Sequence, residues 1–128
     1  MKSKNPFNIS TILIIGVPLL LVALVAGSRL GEKTPKNLEV FAQCLKDKNV
    51  TMYGAAWCPH CQAEKKRFKG AFKYIKYVEC PDNVALCTQK GIEGYPTWEL
   101  GDGTKLAGEQ TKNWAKFSSD TGCPLSFE

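Results

Sequence analysis

The chain has 128 residues, six cysteines and a formal net charge of +5, which suits one small domain with an additional segment. Five of the 17 Lys and Arg residues, but only one of the 12 acids, lie in residues 1–36, so the rest of the chain is nearly neutral. The local cluster at Lys65-Lys66-Arg67 is typical of a solvated helix face. We therefore expect no nucleic-acid partner.

The N-terminal segment predicts attachment to a membrane. Residues 9–27 carry no charge and are apolar except for Ser10 and Thr11. Counted from residue 7, the run approaches the ~20 residues that span a bilayer as a helix. It predicts a transmembrane anchor. A cleaved signal peptide is the alternative, but residues 24–28 offer only a weak cleavage site. Residues 1–8 would then be a cytoplasmic N-terminus, 28–36 a linker and 37–128 the folded domain.

The orientation of this anchor follows from the cysteines. Positive charges flank the span on both sides, at Lys2 and Lys4 before it and at Arg29, Lys33 and Lys36 after it, so they do not decide the question. Structural disulfides persist only in an oxidising space. We expect a single-pass membrane protein whose folded domain lies outside the cytoplasm, in a periplasm, a thylakoid lumen or the cell exterior.

The rest of the chain predicts alternating helices and strands. Helices are predicted over 34–48 from a Thr34-Pro35 start, from Pro59 to about 69, over 84–90, and after a cap at Thr111. Strands are predicted over 50–54, 74–80, 97–100 and 105–107. A helix between the first two strands implies a parallel right-handed crossover, and Gly101-Asp102-Gly103 predicts a hairpin between the last two. The fold class is therefore α/β, with a mixed four-stranded sheet flanked by helices.

The motif Trp57-Cys58-Pro59-His60-Cys61 lies between a predicted strand and a predicted helix. Two thiols at this spacing can close a small disulfide or remain a dithiol, which favours thiol–disulfide exchange. A helix N-terminus stabilises a thiolate, so we predict Cys58 as the attacking thiol and Cys61, one turn further in, as the resolving thiol. Pro59 would stiffen the turn, and His60 would donate a hydrogen bond to the Cys58 thiolate or add charge beside it. The redox group is expected to be the disulfide Cys58–Cys61 itself, with no cofactor.

The same cysteine spacing also occurs in zinc sites. A structural zinc site usually needs four ligands, and His60 is the one histidine of the sequence. We therefore expect no metal, and we keep a metal-binding or thiol-docking module as an alternative.

Four further cysteines allow three pairings. Cys80 and Cys87 flank a predicted turn and helix start, so we pair them with each other and Cys44 with Cys123. The second pair closes a loop of about 80 residues, which contributes ~4 kcal/mol in the chain-entropy model. We interpret both as structural disulfides, and the alternative is that Cys80–Cys87 is a second redox relay.

Several aromatic residues are predicted to lie in the core. We expect Trp57, Trp98 and Trp114 in or near it, with Trp57 also shaping a substrate groove. Tyr53, Phe68 and Phe72 are expected to serve the core alone.

The cysteine motif after a strand, followed by Tyr95-Pro96-Thr97 before another strand, resembles the thioredoxin fold. A closer similarity, over residues 37–124, is to the thioredoxin-like partner domain of bacterial and plastid vitamin K epoxide reductase homologues. The segments that carry it are Met52-Tyr53-Gly54, Trp57-Cys58-Pro59-His60-Cys61-Gln62, Tyr77-Val78-Glu79-Cys80 and Gly94-Tyr95-Pro96-Thr97-Trp98.

This resemblance implies the parts of a substrate site. Pro96 would be cis and face the cysteine pair, leaving the Tyr95 backbone free to pair with a substrate, with Trp57 and Thr97 beside it. Thioredoxins that act as reductases carry a buried acid six residues before the first cysteine, where this chain has Met52. The departure weighs against a dedicated reductase.

The expected function is a membrane-anchored thiol–disulfide oxidoreductase. It would oxidise cysteines of substrate proteins and pass the electrons to a quinone-linked membrane reductase of the vitamin K epoxide reductase type. The alternatives are an extracytoplasmic disulfide reductase, for example in cytochrome maturation, and the metal-binding or thiol-docking module.

Overall fold

The computed structural model describes residues 36–126, which belong to one compact unit. The helices are α1 (Lys36–Asp47), α2 (Pro59–Phe68), α3 (Val84–Gln89) and α4 (Trp114–Thr121). The strands are β1 (Thr51–Gly54), β2 (Lys76–Glu79), β3 (Thr97–Glu99) and β4 (Lys105–Ala107). Short 3-10 helical segments cover Lys69–Tyr74, Cys80–Asp82 and Gln110–Asn113.

The predicted N-terminus 1–8, anchor 9–27 and nearly all of the linker 28–36, with its Thr34-Pro35 helix start, lie outside the described residues. Within residues 36–126, no helix has both the length and the apolar character needed to cross a bilayer.

The four strands form one mixed sheet in the order β2-β1-β3-β4. β1 runs parallel to β2 and antiparallel to β3, and β3 pairs with β4 in the predicted hairpin. This confirms the predicted α/β class. The strand order and the order of elements are those of a thioredoxin-like fold.

Helices cover both faces of the sheet. Successive residues of a strand point to opposite faces, so neighbouring residues of β1 show what packs on each side. Met52 of β1 lies in the main buried cluster, which also holds Phe41 of α1, Phe68 of α2 and Phe117 of α4. The next residue, Tyr53, lies instead in a second buried cluster with Cys80 and with Cys87 of α3. The sheet is therefore packed against three helices on one face and against α3 on the other.

Two predicted element boundaries differ from the structure by two residues, and the others within residues 36–126 by no more than one. The second strand begins at Lys76 and not at 74, because the chain leaves α2 through a left-handed backbone at Lys69 (φ 51°) and continues as a 3-10 segment to Tyr74. The last helix is capped by Asn113 and not by Thr111, since the Asn113 side chain accepts a hydrogen bond from the Lys116 N–H at 3.0 Å.

The tryptophans occupy three different environments. Trp98 is fully buried, as predicted, and Trp114 is partly buried against the same cluster. The expectation that Trp57 is a core residue is wrong, because its side chain is 70% exposed. It precedes the α2 start at Pro59. Among the aromatic rings of residues 36–126 it contacts only that of Tyr95, in a T-shaped arrangement with ring centroids 6.1 Å apart.

The disulfides follow the predicted pairing. Cys44 of α1 is joined to Cys123, just beyond α4, and Cys80 is joined to Cys87 of α3. The sulfur-bearing residues Cys80, Cys87 and Cys123 are buried. The first bond ties the C-terminal tail to α1, and the second closes a short loop on the other face of the sheet.

Candidate active site

The cysteine pair lies at the N-terminus of α2. Cys58 is the N-cap residue, with extended backbone angles (φ −76°, ψ 119°), and Pro59 is the first helical residue, where its missing N–H costs no hydrogen bond. Both cysteines are free thiols. Cys58 retains 5% of its surface and Cys61 none, so Cys58 is the sulfur nearer to the solvent.

Burial controls the protonation of the inner thiol. It raises the pKa of Cys61 to about 11, and a hydrogen bond shared with Cys58 acts in the same direction. The backbone N–H of Ala55 and the charge of Lys65 oppose this shift. Cys61 is therefore a thiol at neutral pH, and it must give up its proton before it can attack another sulfur.

The loop that precedes β3 lies opposite Cys58. The Tyr95–Pro96 peptide bond is cis, as the resemblance implied, and the Cys58 thiol donates a hydrogen bond to the Tyr95 carbonyl at 3.7 Å. Thr97 is buried and donates its hydroxyl hydrogen to Gly94. A cleft of about 330 Å³ borders this loop and is lined in part by Tyr95, Pro96 and Thr97.

His60 is directed to an acid that no sequence motif predicted, Glu109. Its Nδ1 lies 2.6 Å from Oε1 of Glu109, which accepts the hydrogen bond, so the described structure pairs His60 with Glu109 and not with the Cys58 sulfur. Arg67 and Lys112 contact the same carboxylate at 2.5 and 3.1 Å. The hydrogen bonds from Arg67 and then His60 lower the pKa of Glu109 to about 2, so it is an anion at neutral pH.

A second unanticipated acid is buried behind this cluster. Glu64 of α2 is fully buried; its Oε1 accepts the Thr111 N–H at 3.0 Å, and its Oε2 has no hydrogen-bond partner among residues 36–126. Burial raises the pKa of Glu64 to about 6, against the opposing effect of the Thr111 hydrogen bonds. A sequence signal existed, because Glu64 shares the helical face of Cys61 and Phe68, the other buried residues of α2.

A third unanticipated group lies on β2, beside the sheet position of Met52. Tyr77 donates its hydroxyl hydrogen to Oε2 of Glu79 at 2.6 Å, and Oε1 of Glu79 accepts the Ala56 N–H at 2.7 Å. The Lys65 ammonium lies 3.6 Å from the centroid of the Tyr77 ring. Alternation along a strand places residues 77 and 79 on one face, so the sequence pattern could have predicted that these two side chains are neighbours.

Metal ligands are not grouped in the described part of the chain. Residues 36–126 hold no set of three or more His, Cys, Asp or Glu side chains that could bind an ion.

The fold and the site together define a class. The domain is thioredoxin-like and carries a Cys-x-x-Cys pair at a helix N-terminus, with a cis-proline loop within hydrogen-bond reach of the outer sulfur.

Comparisons with known proteins agree with this class over part of their length. No family model matches the sequence. The chain is 40% identical over 77 residues to the thiol-disulfide oxidoreductase LTO1 of Arabidopsis thaliana, which covers 53% of this chain and 20% of that protein. It is 30% identical over 71 residues to a protein disulfide-isomerase of Aspergillus oryzae (48% and 14%). It is 29% identical over 100 residues to a probable protein disulfide-isomerase ER-60 of Schistosoma mansoni (71% and 20%).

The match thus spans about a fifth or less of each of these curated relatives. Among solved structures, the thioredoxin NaTrxh of Nicotiana alata superposes with a TM-score of 0.47 at 15% identity, covering 70% of this chain and 89% of that chain.

Proposed function

We propose that this protein is a thiol–disulfide oxidoreductase that acts on substrate proteins through Cys58 and Cys61. The observation that carries the proposal is the position of the Cys58 thiol, at the N-terminus of α2 and 3.7 Å from the carbonyl that precedes the cis-proline. Relatives named as a thiol-disulfide oxidoreductase and as protein disulfide-isomerases support the same chemistry. No cofactor beyond the cysteine pair is required.

The proposed reaction starts from the disulfide form of the pair. A substrate thiolate attacks Cys58, the sulfur nearer to the solvent, so a bond forms between these two sulfurs and the Cys58–Cys61 bond breaks. Cys61 leaves with the electron pair and takes up a proton. A second substrate thiolate then attacks the substrate sulfur of the mixed disulfide, which creates the substrate disulfide and releases Cys58 as a thiolate. Two electrons have passed to the pair.

The substrate would be held at the cis-proline loop. The backbone of Tyr95 is the polar partner that we assign to an extended substrate segment. Thr97 stabilises the loop through the hydrogen bond that its hydroxyl donates to the Gly94 carbonyl. Trp57, which is 70% exposed, supplies an apolar surface next to the sulfur. These contacts are independent of substrate sequence, which suits an enzyme that acts on many proteins.

We infer that the pair oxidises its substrates. Cys58 lies at the N-terminus of α2, the positive end of the helix dipole, and an interaction that stabilises the reduced form of such a pair makes its disulfide more oxidising. Glu109 holds Nδ1 of His60, which leaves Nε2 as the ring nitrogen for Cys58 or a substrate. The alternative is a reductase in which the same steps run in reverse.

We further propose that residues 9–27 anchor the protein and that the domain lies outside the cytoplasm, in a periplasm, a thylakoid lumen or the cell exterior. The Cys44–Cys123 and Cys80–Cys87 disulfides support this, because such bonds persist in oxidising compartments. Labelling the cysteines in intact cells with an impermeant reagent, after reduction, tests the orientation. Labelling that requires an opened membrane would reverse it.

The partner that reoxidises the pair would be a quinone-linked membrane protein of the vitamin K epoxide reductase type. The resemblance of residues 37–124 to the partner domains of such reductases supports this assignment. A membrane anchor would also keep the domain close to a membrane-embedded partner.

The direction of electron flow is tested by redox titration against glutathione, with Trp57 fluorescence as reporter. We expect a potential less negative than the value of about −270 mV for thioredoxin. Replacing His60 by Gly should make the potential more negative, while Cys58→Ser should abolish the oxidation of reduced substrates. A potential at or below that of thioredoxin, unchanged in His60→Gly, would favour the reductase instead.

A further inference from the structure

The inner cysteine has a proton to exchange and no direct contact with water. Cys61 is fully buried and bears its proton at neutral pH, yet each turnover requires its thiolate. Met52, its neighbour in the main buried cluster on β1, has no ionisable atom. A route for the proton must therefore be built from other groups.

Gly54 opens the space between Cys61 and a hydroxyl group. A Cβ atom at Gly54 would lie 2.8 Å from the Cys61 sulfur and 3.2 Å from the Tyr77 hydroxyl oxygen. The sulfur and the oxygen thus approach the same point and are no more than about 6 Å apart, a gap that one water can bridge. Residue 54 pairs with Glu79 and residue 52 with Tyr77 in the parallel ladder, so these side chains share one face of the sheet.

Tyr77 is already part of a chain of hydrogen bonds that ends near the surface. Its hydroxyl donates to Glu79 Oε2 at 2.6 Å, so the lone pairs of its oxygen remain for a proton from Cys61. The Ala56 N–H fixes the other oxygen of Glu79 at 2.7 Å. Hydrogen bonds from Tyr77 and then Ala56 lower the pKa of Glu79, so the carboxylate is ionised and can accept a proton.

The charges around this chain of hydrogen bonds are few, and the nearest is that of Lys65. From α2, Cys58 and Lys65 face Cys61, and the Lys65 ammonium lies 3.6 Å from the Tyr77 ring centroid. Lys65 lowers the pKa of both Cys61 and Glu79, and so stabilises negative charge along the route. β1 contributes only backbone here, the Ala55 N–H following Gly54.

We propose that Tyr77 and Glu79 form the route by which Cys61 exchanges its proton with solvent. The inference rests on the proposed function. As Cys61 loses its proton to the bridging water, that water passes a proton to the Tyr77 oxygen, the hydroxyl proton of Tyr77 moves to Glu79, and Glu79 releases a proton to solvent. The Cys61 thiolate attacks Cys58 in the mixed disulfide. The new Cys58–Cys61 bond forms, and the partner sulfur that was bound to Cys58 leaves with the electron pair. In the opposite direction Cys61 leaves as a thiolate and the proton returns along the same route.

The test measures how fast the disulfide closes in the full-length chain. The reduced pair is mixed with excess glutathione disulfide, the reaction is quenched with acid at successive times, and mass spectrometry follows the mixed disulfide and its loss. The first step depends on glutathione disulfide concentration and reports Cys58. The second does not, and it reports the attack by Cys61.

We expect Tyr77→Phe to slow the second step roughly tenfold or more near neutral pH and to move its pH profile to higher pH, because a proton acceptor is lost. The first step should keep its rate. Glu79→Gln, which retains an oxygen for the Ala56 N–H, should have the same effect. Tyr74→Phe, a neighbouring tyrosine that contacts Lys73, is the matched control and should change neither step.

The outcomes separate this inference from the function on which it rests. Closure at the wild-type rate with an unchanged pH profile in both Tyr77→Phe and Glu79→Gln would overturn the proton route and leave the oxidoreductase intact. A wild-type pair that forms no mixed disulfide would overturn the proposed function and this inference with it.

Discussion

The buried carboxyl of Glu64 makes the stability of the domain depend on pH. Burial raises its pKa from the ordinary value of 4.5 to about 6, so the folded state holds this proton more tightly than the unfolded chain. The stabilisation is complete below the ordinary pKa and is lost as the pH rises through about 6. At ~1.36 kcal/mol per pKa unit, the loss is about 2 kcal/mol between pH ~4 and pH ~8.

Glu64→Gln should remove this part of the pH dependence. Glutamine is neutral throughout, and it retains an oxygen for the Thr111 N–H that Glu64 accepts at 3.0 Å. Urea unfolding at the two pH values gives the free energy of unfolding for each protein. Both are studied in a Cys58→Ser/Cys61→Ser background, so that the titration of thiols does not contribute. We expect the parent to lose about 2 kcal/mol more than the Gln variant on going from low to high pH.

A second substitution separates charge from hydrogen bonding. Glu64→Leu leaves the Thr111 N–H unpaired and should lower the stability at every pH, yet show the same weakened pH dependence as Glu64→Gln. Equal changes of unfolding free energy with pH in the parent and in both variants would refute the reasoning.

Two further predictions concern contacts near the cysteines. Gly54→Ala should destabilise the domain and slow closure of the Cys58–Cys61 disulfide, because the added Cβ would lie 2.8 Å from the Cys61 sulfur. Urea unfolding measures the stability and the closure assay measures the rate. Unchanged values in both would contradict the prediction. Glu109→Gln should weaken the decrease in the free energy of unfolding at low pH. The Glu109 carboxylate, with its pKa lowered to about 2, contributes stability that is present above pH 4.5 and is lost as the pH falls toward 2. Acid-unfolding curves with the same pH dependence in both proteins would contradict this.

The parts of the fold that were predictable depend on neighbours along the chain. Pro59 after Cys58 marks a helix start, and the helix between the first two predicted strands implies their parallel pairing. The pairing of Cys80 with Cys87 spans only seven residues and leaves the other two cysteines for each other. All of these features except the Cys44–Cys123 bond, which follows from the pairing of the other two cysteines, are specified by residues close together in the sequence.

The unpredicted parts depend on contacts between distant residues. His60 and Glu109 are 49 positions apart, and only the packing of the segment before α4 against α2 brings them together. The position of Glu64 on the apolar face of α2 suggests burial, but the Thr111 N–H that binds its carboxylate lies 47 positions away in the sequence. Trp57 was predicted to lie in or near the core, whereas its place ahead of α2 leaves it 70% exposed.

The central claim is that Cys58 is the sulfur that exchanges with disulfides, and trapping tests it most directly. Reduced full-length Cys61→Ser and Cys58→Ser variants are each exposed to glutathione disulfide and analysed by mass spectrometry after proteolysis. We predict a stable mixed disulfide on Cys58 in the Cys61→Ser variant and little modification of the buried Cys61 in the Cys58→Ser variant. Rapid modification of Cys61 together with an unreactive Cys58 would contradict the account.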